Sequence, residues 1–273
     1  MPHIQVSTDA HIYYEDFGQG IPLVFTHAGS TTHSMWEHQV DALSNEFRTI
    51  TWDWRGVGQS SKPNGPYTID TLVHDLATLT TTLGLENFVL VGHGFGSHVA
   101  IMAAEKLGRS VAGLVLTSTA PWCSGSRDGV EGGFSDEYLA WMKARMGSVG
   151  VSSAAAYAAL FREWLFKLPA QDVDVHAAVA CATQTPLFVM NSYRRSIAQV
   201  DHRERARKIE VPTLIIQGRH DRKQRYGGAV HFQTLIPGAR LETFEDSAHM
   251  PQVEEMGHYN EVLASFAKGT RAG

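Results

Sequence analysis

The chain has 273 residues, 43% of them apolar, with a net charge of −5 at pH 7 and a pI near 6.3. At this length roughly 75% of the unfolded surface is buried on folding, so one α/β domain with an insertion fits better than two equal domains. The acidic balance, with no Lys/Arg cluster, argues against nucleic-acid and anionic-membrane partners, and no apolar run or leader pattern suggests a span or export, so a soluble, cytoplasmic protein is expected.

In chain order, Ile4–Val6 and Ile12–Tyr14 predict an opening hairpin that turns near Asp9. The apolar runs Leu23–Phe25, Thr49–Trp52, Phe88–Val91 and Leu114–Leu116 predict further strands. Ile69, Leu72, Val73, Leu76 and Leu79 follow the i, i+3, i+4, i+7 stripe of a helix. Strands alternating with helices imply crossover units and a mainly parallel sheet. From 121 to 200 strand signals vanish and glycine-rich loops give way to alanine-rich and aromatic helical stretches, so a helical cap is expected there. Residues 1–120 and 201–273 then form the core. Strands return at Thr213–Ile216 and Leu241–Phe244, before a last amphipathic helix carrying Val253, Met256, Leu263 and Phe266. Cys123 and Cys181 lack CxxC spacing, which points to neither a disulfide framework nor a metal site.

The segment FVLVGHGFGSHVA, from Phe88 to Ala100, runs from a buried strand through a small-residue turn into a helix. That is the context of a GxSxG nucleophile elbow, and Gly94 stands where the serine is expected. Elbow residues sit at positive φ, which costs glycine little and leaves it without a nucleophilic atom. A dinucleotide-binding GxGxxG is disfavoured because Ser97 replaces the third glycine and the turn follows the fifth strand, not the first.

Five ordered segments, THAGSTTHSMW, DWRGVGQS, VGHGFG, LIIQGRHD and DSAHMPQVE, make the chain resemble the α/β-hydrolase fold superfamily over essentially its whole length. The resemblance implies a mainly parallel eight-stranded sheet flanked by helices, with a helical cap after the sixth strand. It gives Asp221 the role of triad acid and His249 that of general base. It places the oxyanion donors at the backbone N–H of Phe95 and at the turn after the third strand, where either Gly29 or Ala28 points inward. Ser30 is read either as a ligand contact or as a turn-stabilising hydroxyl. Among the cap aromatics, Trp122, Trp141, Trp164 and Phe188 are expected to contact a bulky apolar or aromatic substrate. Arg194 and Arg195 are expected to be solvated.

Three functions follow. One is an ester or lactone hydrolase of Ser-His-Asp type whose nucleophile is disabled at Gly94, as an engineered serine-to-glycine replacement would leave it. Another is a native enzyme using a His249/Asp221 dyad as general base, for direct water attack or for cofactor-free oxygenase or lyase chemistry. The last is a non-catalytic ligand receptor. No metal or organic cofactor is implied, and the oligomeric state is left open, a homodimer included.

Overall fold

The protein is described by a computed structural model that covers residues 2–123, 125–146, 154–167 and 172–270. Strands β1 (His3–Ser7) and β2 (Ala10–Phe17) form the opening hairpin, turning at Thr8 and Asp9. β3 (Pro22–Thr26), β4 (Arg48–Trp52), β5 (Phe88–His93) and β6 (Val111–Thr117) follow. Between them lie helices α1 (Glu37–Leu43), α2 (Ile69–Thr82) and α3 (Phe95–Leu107).

After β6 comes a short hairpin, β7 (Ser126–Arg127) with β8 (Val130–Glu131), and then helices α4 (Asp136–Met146), α5 (Ala154–Leu160), α6 (Asp172–Ala182), α7 (Leu187–Ile197) and α8 (Arg203–Ala206). The hairpin corrects the expectation that 121–200 lacks strands. Its two-residue strands are too short to leave an alternating pattern, and Gly129 at φ 78 makes the turn. The chain closes with β9 (Thr213–Gly218), α9 (Tyr226–Leu235), β10 (Arg240–Phe244), α10 (Pro251–Glu254) and α11 (Met256–Gly269). The expected single last helix is therefore broken at Glu255, which sits at φ −126, ψ 49, and Met256 is exposed.

The eight main strands run in the order β1-β2-β4-β3-β5-β6-β9-β10, and only β2 opposes its neighbours. Period-2 alternation splits the core into two layers. Leu23, Phe25, Val89, Val91, Leu214 and Ile216 pack against α1 and α11, while Val24, Leu90, Leu114 and Ile215 pack against α2, α3 and α9. From β3 the chain steps to β4 on one side and later to β5 on the other. The crevice beyond the carboxyl ends of β3 and β5 is thus a topological switch point, where open α/β sheets bind ligands.

One buried ion pair locks the turn after β4 to α2. Arg55 Nε and Nη2 donate to the Asp75 carboxylate in a two-pronged contact, and the Arg55 carbonyl accepts the Tyr193 hydroxyl from α7. Asp75→Ala leaves a buried, unpaired guanidinium and is expected to cost about 3–5 kcal/mol, read as a lower urea midpoint. A loss under about 1 kcal/mol would show that water reaches Arg55.

Candidate active site

The elbow is built by close backbone approach. Gly94 ends β5 and caps α3 at φ 52, ψ −112, with its N–H donating to the Thr117 carbonyl at 2.8 Å. A Cβ on Gly92 would stand 2.6 Å from the Gly96 carbonyl oxygen, and one on Gly96 would stand 2.3 Å from that of Thr26. Any larger residue at 92 or 96 therefore pushes α3 off the sheet. Position 94 differs. A Cβ built there meets His249 Nε2 at 3.5 Å and Ala28 Cβ at 3.9 Å, which is ordinary contact.

His249 follows β10 and is buried. Its Nδ1 donates to Asp221 Oδ2 at 2.7 Å, its backbone N–H donates to the Leu165 carbonyl, and its own carbonyl accepts from His93 Nε2 at 2.7 Å. His93 thus holds the backbone of His249. Asp221 also accepts from Gln217 Nε2 at 3.0 Å and from the backbone N–H groups of Lys223 and Gln224 at 2.9 Å each. Four donors fix the carboxylate, which fixes the ring with Nδ1–H toward Asp221 and the Nε2 lone pair toward Gly94. Burial holds the His249 pKa below its ordinary value, with Asp221 opposing and Lys223 reinforcing the shift. The ring is therefore a neutral base at pH 7.

The turn after β3 faces the elbow. The Ala28 N–H is turned to Met35 Sδ at 3.2 Å, whereas Gly29 borders the cavity with Phe95. Asp53 steadies this turn by accepting from the His33 backbone N–H at 2.8 Å and from Gln59 N–H at 2.8 Å. Ser30 sits at φ 67, its side chain lines the cavity, and its hydroxyl has no hydrogen-bond partner among the described residues. Thr31 stabilises the turn instead, donating through Oγ1 to the Ala28 carbonyl. A left-handed non-glycine residue is strained by about 1–3 kcal/mol. Ser30→Gly is expected to raise stability by about 1 kcal/mol while weakening ligand binding. Unchanged affinity would remove Ser30 from the site.

Gly29, Ser30, Gly94 and Phe95 open on a cavity of ≈ 210 Å³. An apolar cavity of about 150 Å³ accommodates benzene, so this one suits a single ring or a short acyl chain. Its apolar wall comes from Phe134, Tyr138, Met142, Leu160, Leu165 and Met190. The four expected aromatics lie outside that lining. The Trp122 indole donates to the Gly125 carbonyl and lies under Arg127 and Arg203, and the Trp141 indole donates to Glu163. Trp164 is buried between Tyr138 and Trp141, and Phe188 is half-exposed beside Tyr67. The three tryptophans are committed to packing, whereas Phe188 lies largely on the surface. A wider cleft of ≈ 710 Å³, bordered by Tyr67, Arg195 and Arg205, contains neither His249 nor Asp221.

Two cations reach the cavity. Lys223 Nζ lies 3.1 Å from His249 Nε2 and over the Phe134 and Tyr138 rings, and Arg194 borders the same space from α7. Arg194 was expected in solvent; α7 instead turns it inward, whereas Arg195 lies on the wider cleft. Lys223 sits two residues after the acid, and that spacing is its one sequence signal. Two other candidate nucleophiles are disabled. The Ser97 hydroxyl is held between the Gly92 and Thr117 carbonyls, and burial pushes the Cys123 thiol up to about 12. No three His, Cys, Asp or Glu side chains group to hold a metal ion, and no helix is long and apolar enough to cross a membrane, among the described residues.

Residues 21–256 match the sequence model of the alpha/beta hydrolase fold family. The chain belongs to the α/β-hydrolase fold family. A putative non-heme chloroperoxidase from a Synechocystis species is 30% identical, over 97% of this chain and 99% of its own length. A 3-oxoadipate enol-lactonase from Acinetobacter baylyi is 26% identical, over 90% and 88%. Among solved structures, an esterase from Exiguobacterium antarcticum superposes with a TM-score of 0.89 at 27% identity, covering 97% of this chain and 98% of that one. This α/β-hydrolase therefore has esterase, lactonase and haloperoxidase neighbours, and the mainly parallel eight-stranded sheet flanked by helices is the one its sequence implied.

Proposed function

We propose that this α/β-hydrolase binds a small apolar ester or lactone and that Gly94 stands in place of its nucleophilic serine, so that the chain holds substrate without the group that accepts the acyl. The observation that carries this reading is the clearance at position 94, where a built Cβ has His249 Nε2 as its nearest neighbour at 3.5 Å. Asp221 fixes and stabilises the imidazole, and His249 Nε2 is the base that would take the Oγ proton and return it to the leaving group. The N–H groups of Gly29 and Phe95 are the donors for the developing oxyanion, and Phe134, Tyr138, Met142, Leu160, Leu165 and Met190 of the cap cover the cavity. The substrate class draws support from the esterase and enol-lactonase neighbours. The size of the cavity limits it to a compact acyl or aryl group. Gly94→Ser assayed on aryl esters and lactones tests this reading; a folded serine variant with no gain in hydrolysis would refute it.

A second reading has its own support. With no side chain at 94, the Nε2 lone pair of a neutral His249 is held only by the Lys223 ammonium, which on moving aside frees the base and stabilises any anion formed by proton abstraction. It requires that the unmodified chain turn over an acidic C–H or phenolic substrate and that His249→Ala abolish this turnover.

A further inference from the structure

We propose that Lys223 and Arg194 form an oxyanion subsite in this cavity, and that the substrate is a compact apolar molecule bearing a free carboxylate in addition to any bond to be cleaved. The inference rests on the reading above that this cavity is the substrate site.

The cavity wall carries two cationic side chains and no acidic one. Neither cation has a carboxylate within ion-pair distance among the described residues. Lys223 Nζ donates one N–H to His249 Nε2, which leaves two of its three donors for a ligand. Asp221, the nearest acid in sequence, is spent on His249, Gln217 and two backbone N–H groups and is no counter-ion for Nζ. The Arg194 guanidinium makes one long contact, 3.5 Å to Asn191 Oδ1. Burying an ammonium without a partner carboxylate is costly, the Phe134 and Tyr138 rings offset only part of that cost, and a bound anion lowers it further. The cost is visible in Lys223 itself, whose pKa burial pushes down to about 8, with Asp221 opposing and Arg194 reinforcing the shift. At pH 7 it is a cation with little to spare, and an incoming carboxylate stabilises it.

Other groups around Nζ keep their charge state across the relevant range. His249 from the loop after β10 stays neutral because its pKa is lowered, and its Nδ1 is hydrogen-bonded to Asp221. Burial pushes the Cys123 thiol and the Tyr138 hydroxyl of α4 upward, so both stay protonated, and Arg194 of α7 is the second cation of the cavity. Loss of the Lys223 charge is thus the one change expected around the subsite between pH 7 and 9.5.

Phenylacetate and its neutral isostere phenylacetamide are to be compared by calorimetry on the unmodified chain. The carboxylate is expected to bind at least about tenfold tighter at pH 7, as suits a hydrogen bond to a charged group. That ratio is expected to fall severalfold as pH rises past about 8, to fall as far in Lys223→Met, where Arg194 alone supports the remainder, and to persist in Lys223→Arg. A ratio near one in the unmodified chain, or one undiminished both at pH 9.5 and in Lys223→Met, overturns the subsite. The pH series needs no variant and decides the matter if Lys223→Met fails to fold. Phenylacetamide binding without anion preference, together with ester hydrolysis by Gly94→Ser, overturns the subsite and leaves the hydrolase reading intact. Binding of neither ligand, with no hydrolysis by Gly94→Ser, overturns both.

Discussion

Gly94→Ser is expected to raise hydrolysis of short aryl esters by roughly four to six orders of magnitude over the unmodified chain, the scale on which loss of the nucleophile disables a serine protease. The acid and the base are already hydrogen-bonded beside that position. Asp221 Oδ2 is 2.7 Å from Nδ1, Nε2 is 3.5 Å from the built Cβ, and no atom lies closer to that position. A serine Oγ must compete with Lys223 Nζ, now 3.1 Å from Nε2, for the same lone pair, and displacement of Nζ toward the cavity is part of the expected change. The substitution also places a side chain at φ 52, so stability is expected to fall by about 1–3 kcal/mol while activity rises. That pairing of opposite signs separates a restored nucleophile from a general improvement in folding. A serine variant that is folded, destabilised and no more active would show that the base or the oxyanion donors are misplaced.

Acidification is expected to unfold the protein well above the pH at which carboxylates protonate. Burial lowers the pKa of His27 and His98 to about 4 and that of His93 and His202 well below the ordinary value, and lowers that of His249 as well. Below an unfolded pKa of about 6.5, the unfolded chain binds protons that the native rings refuse, so stability falls as pH drops from there toward about 4. His27 and His98 each account for roughly 2 kcal/mol lost between pH 7 and 5, and the other three rings add to this, against a typical total of about 5–15 kcal/mol. His33 acts in the opposite sense: burial opposes its protonation, but Asp53 and Glu15 raise its pKa overall, which offsets a small part of the loss. The urea midpoint measured at pH 7.5, 6 and 5 is expected to drop at each step. A midpoint unchanged or higher at pH 5 would mean that these rings accept protons in the native state.

The parts of this molecule legible in its sequence are those set by local backbone chemistry and chain order. The glycines at 92 and 96 announce the elbow because no other residue permits α3 to lie so close to β3 and β5. Asp221 and His249 declare themselves by falling after the last two parallel strands, and the sheet order brings them to one edge. The wall of the cavity was not legible, because which face of α4, α5 or α7 turns inward depends on how those segments pack on one another. Large aromatic rings looked like substrate contacts, yet Trp122 and Trp141 satisfy their indole N–H groups on Gly125 and Glu163 and are consumed as packing, leaving Phe134, Tyr138 and Met142 at the cavity. Lys223 was overlooked because a lysine in a polar loop reads as solvated. Only the approach of Phe134 and Tyr138 from the other side of the cavity buries its ammonium.

Covalent labelling by a small fluorophosphonate, followed by intact-mass spectrometry, tests most directly whether Gly94 occupies the nucleophile position of an otherwise assembled site. The expected result is a single stoichiometric adduct on Gly94→Ser, none on the unmodified chain, and loss of labelling when His249→Ala is added. No adduct on a folded Gly94→Ser protein, or equal labelling of the unmodified chain, would contradict the assignment of position 94, His249 and Asp221 to one catalytic machine.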